Sequence, residues 1–531
     1  MTEKRKSLPR EIFLYLLLAV LSVIVISLKV NYYIDEIYSY GLSNYRGDGI
    51  DMTVESDLTY APASSAYSEY MAVQRGERFD YSGVWENQAK DVHPPLYYVI
   101  LHTICSLFPD TYSKWYAGSI NIVFVLLSLF VMRKLIWVLT GNRNVQGVLS
   151  FLFVCMPGTL LGVAYLRMYM MAMLWVTLLT YLFVRQVDGE WDIRFYVSVY
   201  LVTALGALTH YYVIMYVVLI SIVFGIYLLW DKRFKETGAF CLTMALSGGS
   251  SVIIFPAMKQ HIFFGYRGTE AIGRLMTEGE QHADYKGFYD NINLEMFGNM
   301  LGYFFVILII LAVVRYAKNH FGVLEKFGER EISFGFERET VIRYVLVLVP
   351  CVAYFMLVSK MTFITADRYL FPIYAVAFAG ITCMIYTVFR YFFDGKAFFA
   401  VAVIMTVLLI GQSYRECKWI YLYRDYVPFL ELVEAHGDYD CICVMEEEAY
   451  HLLYPEFVEY TSYKSITFIS SEEFLENGIS RWASPEGVIV SFIGVADLRE
   501  EDLQKVVQDN GYLRYEYLGA YGFDVTYFMG K

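Results

Sequence analysis

Charged side chains are scarce in this chain of 531 residues, because Asp, Glu, Lys and Arg make up only 18% of it, against about 25% in an ordinary soluble domain. Hydrophobic residues reach 57%, so the composition excludes a purely soluble enzyme, a disordered chain and a coiled coil. The net charge of −12, with no clustered Lys/Arg face, argues against nucleic acid as a partner. We therefore expect most of the chain to lie in membrane lipid.

Cysteines and catalytic signature motifs are also few. Eight cysteines in so long a chain do not make a disulfide framework. Cys441 and Cys443 stand two apart in a predicted strand, and we expect them to face opposite sides, which argues against a shared metal and a mutual bridge. The sequence has no P-loop, no GxGxxG after a strand, no HExxH and no GxSxG. It therefore lacks the motifs of nucleotide-binding proteins, zinc proteases and serine hydrolases.

Long apolar runs are what the sequence has instead. The first, residues 12–30, follows a basic amino-terminal segment, so the positive-inside rule predicts a cytoplasmic N-terminus. No small-residue cleavage site follows this run, which predicts a retained span. Ten further runs bring the expected number of transmembrane helices to about eleven: residues 116–139, 146–165, 169–184, 195–210, 211–230, 239–258, 299–315, 341–358, 369–389 and 398–414.

Two outer loops are expected between these spans. Residues 31–115 form the first, and within it residues 95–108 are apolar but, at about 14 residues, too short to span, which predicts an interfacial helix. Residues 259–298 form the second outer loop. Residues 1–415 are thus the predicted transmembrane domain, and the carboxyl end is expected outside the cell.

Residues 416–531 are predicted to fold as a small extracytoplasmic α/β domain. Strand and helix patterns alternate along this tail, as they do in α/β units. The predicted elements are strands at 441–445, 465–470 and 487–493, a helix at 497–508 and a hairpin at 512–529.

Two adjacent acids follow the first predicted span and are the candidate catalytic residues. Asp35 and Glu36 stand within an aromatic stretch, residues 32–40, at the expected lipid boundary. A carboxylate partly removed from water becomes a stronger base, and tyrosine rings can stack on sugar rings. The alternative is a solvated loop acid, and adjacency makes it harder for both side chains to reach one substrate.

Two histidines lie at predicted outer ends of helices. His93 precedes Pro94 and Pro95, which can start the interfacial helix, and it could orient an acid or bind a phosphate oxygen. A histidine alone at such a place is more often a helix cap or a packing residue. His210 lies between two closely joined spans, where it could contact a substrate or be satisfied by neighbouring helices.

Three arginines break the positive-inside pattern because they stand at predicted outer ends or loops: Arg167, Arg267 and Arg368. A guanidinium at headgroup depth needs an anionic partner, and a lipid-linked phosphate matches its paired donors. The alternative is an ion pair with a protein carboxylate, such as Asp367 for Arg368. Both interpretations stay open for Arg167 and Arg368, and the ion pair is favoured for Arg267.

The order of these motifs resembles that of a known family, the polyprenyl-phosphate-dependent GT-C glycosyltransferases. It is similar in particular to bacterial relatives of protein O-mannosyltransferases of family 39 type and of the lipid A aminoarabinose transferase. The resemblance covers residues 10–415 and implies a GT-C type transmembrane catalytic domain. It is carried by Asp35-Glu36, His-Pro-Pro-Leu from His93, Arg-x-Tyr from Arg167 to Tyr169, Thr-His-Tyr-Tyr at 209–212 and Arg-Tyr-Leu-x-Pro from Arg368.

The resemblance implies inverting sugar transfer at the outer face of a bacterial-type plasma membrane. The donor would be a polyprenyl-phosphate sugar, and the acceptor a hydroxyl of an envelope polysaccharide, a glycolipid or a protein. Asp35 would act as the base, with Glu36 or His93 orienting the acceptor or the donor sugar. Arginine would neutralise the departing phosphate, so no obligatory metal is expected. The donor- and acceptor-binding residues that it implies are His93, Arg167, Tyr169, His210, Arg368 and Tyr369.

The rival hypothesis from another functional class is a transporter or flippase, which also needs many spans and polar residues within the membrane. Transporters usually show paired halves with broken helices at the midplane, whereas here the ionisable residues stand at span ends. A binding or scaffolding protein with an inactive transferase core is the third hypothesis.

Overall fold

The structure is a computed structural model that falls into two compact units. Unit 1 comprises Met1–Val25, Val92–Tyr97 and Gly118–Lys418, and unit 2 comprises Ile26–Asp91, Tyr98–Ala117 and Trp419–Lys531. The domain boundary expected at residue 416 stays a prediction. The structure describes residues 2–47, 57–276, 283–307, 309–310, 313, 337–362, 364–390, 395–446, 458, 460–482, 484–494, 500–521 and 524–530.

Helices dominate the described residues. Fifteen of them come before residue 300: α1 (Thr2–Leu28), α2 (Ile34–Asn44), α3 (Ser65–Met71), α4 (Tyr81–Lys90), α5 (Leu96–Leu107), α6 (Lys114–Thr140), α7 (Arg143–Cys155), α8 (Pro157–Ala164), α9 (Tyr169–Gln186), α10 (Ile193–Ala207), α11 (Tyr211–Trp230), α12 (Phe234–Ile254), α13 (Ala257–Lys259), α14 (Tyr266–Met276) and α15 (Tyr285–Phe297). The later ones are α16 (Arg338–Met361), α17 (Phe371–Phe389), α18 (Gly395–Glu416), α19 (Val427–Ala435), α20 (Ser471–Asn477) and α21 (Glu500–Asp509).

The predicted polytopic α-helical membrane fold is confirmed, but the expected number of about eleven spans is not. Among the described residues, 7 helices are long and apolar enough to cross a membrane, or up to 8 if α7 and α8 form one span. These two helices meet at a bend of 50°. Pro157 is the first residue of α8, where a backbone N–H would have no partner within the helix. Part of the predicted span 299–315, namely residues 308, 311–312 and 314–315, lies outside the described residues.

Two further predictions concern short apolar or loop segments. The predicted span 195–210 contains α10, which has 15 residues and is therefore about 22 Å long, less than the roughly 30 Å hydrocarbon core. The expected interfacial helix at 95–108 is the 12-residue helix α5. The expected outer loop 259–298 contains α14 and α15, while its residues 277–282 lie outside the described part of the chain.

Unit 2 is built on a six-stranded sheet. Its strands are β1 (Thr59–Tyr60), β2 (Asp440–Met445), β3 (Ser465–Ser470), β4 (Val488–Ile493), β5 (Arg514–Tyr521) and β6 (Asp524–Gly530), in the spatial order β1-β3-β2-β4-β6-β5. β2 is parallel to β3 and β4, and the other pairs are antiparallel. The small α/β fold predicted for the tail is confirmed, and β1, from the segment predicted as the first outer loop, extends its sheet.

The two faces of this sheet differ. One packs an apolar core against α20 and α21, in which Val444, Phe474 and Val506 are buried. Cys441 and Cys443 are buried and free of disulfides, and their Sγ atoms are 3.9 Å apart. The expectation that they face opposite sides is therefore wrong, because residues two apart in a strand share a face.

Candidate functional site

An arginine and two histidines lie together in unit 1. The Arg167 guanidinium donates a hydrogen bond to His93 Nε2 at 3.3 Å. The His93 and His210 rings are 6.0 Å apart, edge to face. Arg167 and His210 are only 4% and 6% exposed. Three residues predicted separately from the sequence are thus brought into one group.

Breaks between helices place these side chains. Arg167 lies in the connection between α8 and α9, and its N–H donates to the Tyr165 carbonyl at 2.8 Å. Two further bonds hold this region together, because the Tyr97 hydroxyl donates to the Leu166 carbonyl at 3.1 Å and the Leu96 N–H to the Leu208 carbonyl at 3.0 Å. Arg167 and His210 therefore lie in short connections between helices, where side chains from different helices can converge.

His210 is the N-cap of α11. Its Nδ1 accepts a hydrogen bond from the Tyr212 N–H at 3.0 Å, which assigns the ring proton to Nε2. Burial, followed by the charges of His93 and Arg167, holds the pKa of His210 well below its usual range. The imidazole is therefore neutral near pH 7 and offers an Nε2–H donor.

Arg368 and Tyr369 form the second part of the group. They belong to a short 3₁₀ turn, Asp367–Tyr369, just before α17. Arg368 is 7% exposed, and its guanidinium lies 5.1 Å from the Tyr369 ring centroid and 5.6 Å from that of Tyr165. Aromatic faces suit a guanidinium, which is more weakly hydrated than an ammonium.

Tyrosine rings join the two arginine neighbourhoods. Tyr169 lies 5.2 Å from the His210 ring and 5.6 Å from the Tyr165 ring. On the other side, Tyr212 lies 4.9 Å from His210 and 5.5 Å from Tyr369. We call this continuous set the arginine–tyrosine cluster; its members are His93, Tyr165, Arg167, Tyr169, His210, Tyr212, Arg368 and Tyr369.

The cluster contains every donor- and acceptor-binding residue predicted from the sequence, together with Tyr165 and Tyr212. It can offer guanidinium and imidazole N–H donors to an anion and aromatic faces to a ring. Arg267 is not part of it, because this residue is exposed and pairs with Glu270 at 3.3 Å. That ion pair is the interpretation the sequence favoured.

Glu295 of α15 is a buried acid that the sequence analysis missed. The Tyr374 hydroxyl donates to its Oε2 at 2.8 Å. Burial, followed by the charge of Asp367, raises the pKa of Glu295 well above its usual range. The protonated carboxyl can donate a hydrogen bond to Asp367, which itself accepts one from the Arg368 N–H at 2.7 Å.

A sequence pattern could have revealed Glu295. It stands three residues after Ile292 and seven after Phe288, and both of these are buried. The spacing puts the acid on the apolar face of a helix, where a charge is costly. The apolar runs of the sequence predict an outer loop at residues 259–298, so the helical spacing around Glu295 does not stand out.

The two candidate catalytic acids belong to unit 2. Asp35 is partly exposed in the first turn of α2, whereas Glu36 is fully buried. Glu36 Oε2 pairs with Lys29 Nζ at 2.9 Å and accepts the Tyr33 N–H at 2.7 Å. The adjacent acids thus have different surroundings: Glu36 is held by internal partners, and Asp35 reaches the surface of its unit.

Among the residues that the structure describes, no group of three or more His, Cys, Asp or Glu side chains could hold a metal ion. The cluster residues present guanidinium, phenol and imidazole groups, and a guanidinium is a cation that binds no metal.

The fold is similar to that of ArnT from Cupriavidus metallidurans. With ArnT bound to undecaprenyl phosphate the TM-score is 0.52 at 10% identity, covering 97% of this chain and 97% of that chain. Apo ArnT gives a TM-score of 0.51 at 10% identity, again covering 97% of each chain. The apo oligosaccharyltransferase of Archaeoglobus fulgidus gives 0.44 at 10% identity, covering 95% of this chain and 69% of that chain.

Sequence comparisons add nothing to this likeness, because no family model and no curated protein matches the chain. At 10% identity the similarity to ArnT is one of fold, and it extends over nearly the whole of both chains. The multi-pass membrane protein described above therefore has the GT-C type fold.

Proposed function

We propose that this protein is a membrane glycosyltransferase, which moves a sugar from a polyprenyl-phosphate donor to an acceptor hydroxyl with inversion at the anomeric carbon. The observation that carries the proposal is the arginine–tyrosine cluster, where two buried guanidinium groups lie among histidine and tyrosine rings. ArnT, which has the same fold, was crystallised with undecaprenyl phosphate, a lipid of the proposed donor class.

The arginines bind the donor in this proposal. A departing polyprenyl phosphate gains negative charge as its bond to the sugar breaks, and paired guanidinium N–H groups match phosphate oxygens. Arg368 and Arg167 therefore stabilise the leaving group, assisted by the Nε2–H of His210. Because two cations supply this charge, we propose that no metal is obligatory, and chelation with EDTA is expected to leave transfer unchanged.

Tyrosine rings contribute the sugar- and isoprenoid-facing surface. Tyr169 and Tyr369 pack beside the buried cations, and a tyrosine ring offers both an apolar face and a hydroxyl. Such surfaces suit a substrate that has a polar sugar at one end of a phosphate and a hydrocarbon chain at the other.

Asp35 acts as the base. Its carboxylate takes the proton of the acceptor hydroxyl while that oxygen bonds to the anomeric carbon, and the bond from this carbon to the phosphate oxygen breaks with its electron pair on the phosphate. Attack from the face opposite the leaving group inverts the configuration. The proposal rests on the partial exposure of Asp35 and on the internal engagement of Glu36.

The proposal also includes an orientation in the membrane. Basic residues before the first span support a cytoplasmic N-terminus, and the proposal puts unit 2 at the outer face of a bacterial-type plasma membrane. Thiol labelling of intact cells, with a cysteine introduced at exposed Arg481 in a variant without native cysteines, tests this orientation. Labelling by a membrane-impermeant reagent supports it, and labelling only after lysis contradicts it.

The decisive experiment compares envelope glycans of cells with and without the protein. A single sugar linkage that disappears names the donor sugar and the acceptor. Complementation with Asp35→Asn is then expected to lower the rate at which this linkage appears by about 10²- to 10⁴-fold, the usual contribution of a general base.

Its matched control is Asp425→Asn, which removes an exposed aspartate from the same unit and is expected to keep the wild-type rate. Both variants must reach the membrane in equal amounts. Full transfer by Asp35→Asn would refute the base assignment, and an unchanged glycan profile without the protein would refute the transferase.

The donor side is tested separately by binding of undecaprenyl phosphate to the purified protein. Arg368→Gln is expected to weaken this binding about 10- to 100-fold, since hydrogen bonds to charged groups contribute roughly 1.5–3 kcal/mol each. Arg194→Gln, which removes an exposed arginine of the same unit outside the cluster, serves as the control. Equal affinities of the two variants would exclude Arg368 from phosphate binding.

A further inference from the structure

Lys29 is buried in unit 2, directly after the first predicted span. Its side chain is 1% exposed, and Nζ lies 2.9 Å from Glu36 Oε2. Nζ also donates to the Tyr421 carbonyl at 2.8 Å and lies 4.9 Å from the Tyr423 ring centroid. One ammonium thus contacts both the start of α2 and a segment about 390 residues away in sequence.

On the side of α2, the Lys29 ion pair fixes the first turn. Glu36 is the third residue of this helix, and it also accepts the N–H of the N-cap residue Tyr33 at 2.7 Å. An acid at this position satisfies a backbone donor that the helix leaves unpaired. Asp35 is the residue before Glu36, so its backbone is held by the same contacts.

On the other side, residues 419–423 bind the two residues that follow α1, Lys29 and Val30. The Val30 N–H donates to the Leu422 carbonyl at 3.0 Å, next to the bond between Lys29 and Tyr421. Lys114 donates to the carbonyls of Lys29 and Ser27 at 2.5 and 3.1 Å. Both the side chain of Lys29 and the backbone around it are therefore fixed.

We propose that Lys29 is a positioning residue for Asp35, and that through it residues 419–423 set the geometry of the proposed base. The inference rests on the proposed function of Asp35. It gives the carboxyl-terminal part of the chain a role in sugar transfer, because the Tyr421 carbonyl is one of the acceptors that orient Lys29.

Energetics favour a geometric role over a purely stabilising one. A buried ion pair gains little over an apolar pair of similar volume, because desolvation of two charges offsets their attraction. Directional bonds from one ammonium to a carboxylate and a carbonyl, by contrast, fix two backbone segments. Displacement of a catalytic group by about 1 Å can lower a rate about 100-fold.

The test is the double variant Lys29→Met/Glu36→Gln. Loss of either charge alone would leave the other buried without its partner and could prevent folding, whereas the double variant is neutral and keeps an oxygen for the Tyr33 N–H. The expected result is a kcat for the sugar linkage about 10- to 100-fold lower, with undecaprenyl phosphate binding within twofold of wild type and an unchanged melting temperature.

The matched control is Lys464→Met/Asp440→Asn, which neutralises a more exposed pair of the same unit, 3.0 Å apart. It is expected to keep the wild-type kcat. A wild-type kcat in the Lys29 variant would overturn the positioning role, and so would a parallel loss of kcat, lipid binding and melting temperature.

Failure of this inference can be told apart from failure of the proposed function. If Asp35→Asn abolishes transfer while the Lys29→Met/Glu36→Gln variant is fully active, only the positioning role is lost. If Asp35→Asn retains full transfer, the base assignment itself fails, whatever the double variant does.

Discussion

Each compact unit contains a buried glutamate, but the two side chains have opposite kinds of partner. In unit 2, Glu36 faces the Lys29 ammonium at 2.9 Å. In unit 1, Glu295 faces the Tyr374 hydroxyl at 2.8 Å and has Asp367 as a neighbour. The charge of Glu36 is balanced by a counterion, whereas Glu295 avoids a charge by remaining protonated.

The difference teaches that burial alone does not determine what an acidic residue does. A buried carboxyl must avoid an uncompensated charge, and it can do so by pairing with a cation or by remaining neutral. The paired form anchors backbone segments through a cation. The neutral form becomes a hydrogen-bond donor, and Glu295 can therefore support Asp367, whose neighbour Arg368 belongs to the arginine–tyrosine cluster.

The largest expected effect comes from Glu36→Gln. This change leaves the Lys29 ammonium buried without its carboxylate, so we expect the free energy of unfolding of unit 2 to fall by about 3–5 kcal/mol. Thermal unfolding in detergent, followed by tryptophan fluorescence, measures the loss. The exposed substitution Glu434→Gln is the control, and equal melting temperatures for the two variants would show that Glu36 is not an anchoring charge.

Tyr374→Phe is expected to have a smaller effect on unit 1. It removes the hydroxyl that donates to Glu295, and an unsatisfied buried acceptor costs about 1–3 kcal/mol. The same unfolding measurement applies, with Tyr303→Phe, at a side chain that is 69% exposed, as the control. No difference between the variants would mean that the hydrogen bond to Glu295 contributes nothing.

Glu295→Gln should cost less still, because glutamine has nearly the shape of a neutral glutamic acid; we expect a loss below about 1 kcal/mol. The variant should instead differ from wild type in how its stability depends on pH. Because the folded-state pKa of Glu295 is raised, the unfolded chain ionises first, and wild-type stability falls as the pH rises above the ordinary carboxyl pKa.

The glutamine variant lacks this loss. Melting temperatures measured from about pH 5 to pH 8 should therefore fall less in Glu295→Gln than in wild type. Parallel curves would show that Glu295 titrates normally, and the comparison between the two glutamates would then fail.

A similarly small effect is expected from a polar contact at the edge of the unit 2 sheet, where the two side chains are not both fully buried. The hydroxyls of Thr59 and Thr467 are 2.8 Å apart. Thr59→Val keeps the shape and removes the hydrogen bond, so about 0.5–1.5 kcal/mol should be lost. An effect as large as that of Glu36→Gln would contradict the distinction between buried charge and neutral polar contacts.

The sequence predicted the features that depend on local pattern. Hydropathy predicted the polytopic helical fold, and the apolar stretch at 95–108 predicted α5. Each of these helices is apolar over its own length, so the pattern can be read without knowing its partners. Alternating strand and helix patterns predicted the sheet of the tail. The number of about eleven spans is not confirmed: 7 helices of the described residues, or up to 8, are long and apolar enough, and α10, which the sequence predicts as part of a span, has only 15 residues.

The sequence did not reveal features that depend on distant partners. Asp35 and Glu36 look alike in sequence, and only the contacts of Lys29 and Tyr421 separate them. Spacing could have flagged Glu295, but its partner Tyr374 is 79 residues away. The cluster residues were found because they stand at the ends of helices, where tertiary contacts bring them together.

The pairing of β1 with β3 also constrains the order in which the protein is made. Thr59 and Thr467, which meet across these strands, are 408 residues apart, so the ribosome synthesises most of the chain before the second strand exists. Until β3 is synthesised, β1 has no strand to pair with, and a product that ends before residue 465 cannot complete this sheet. Full-length translation is thus a precondition for assembling unit 2.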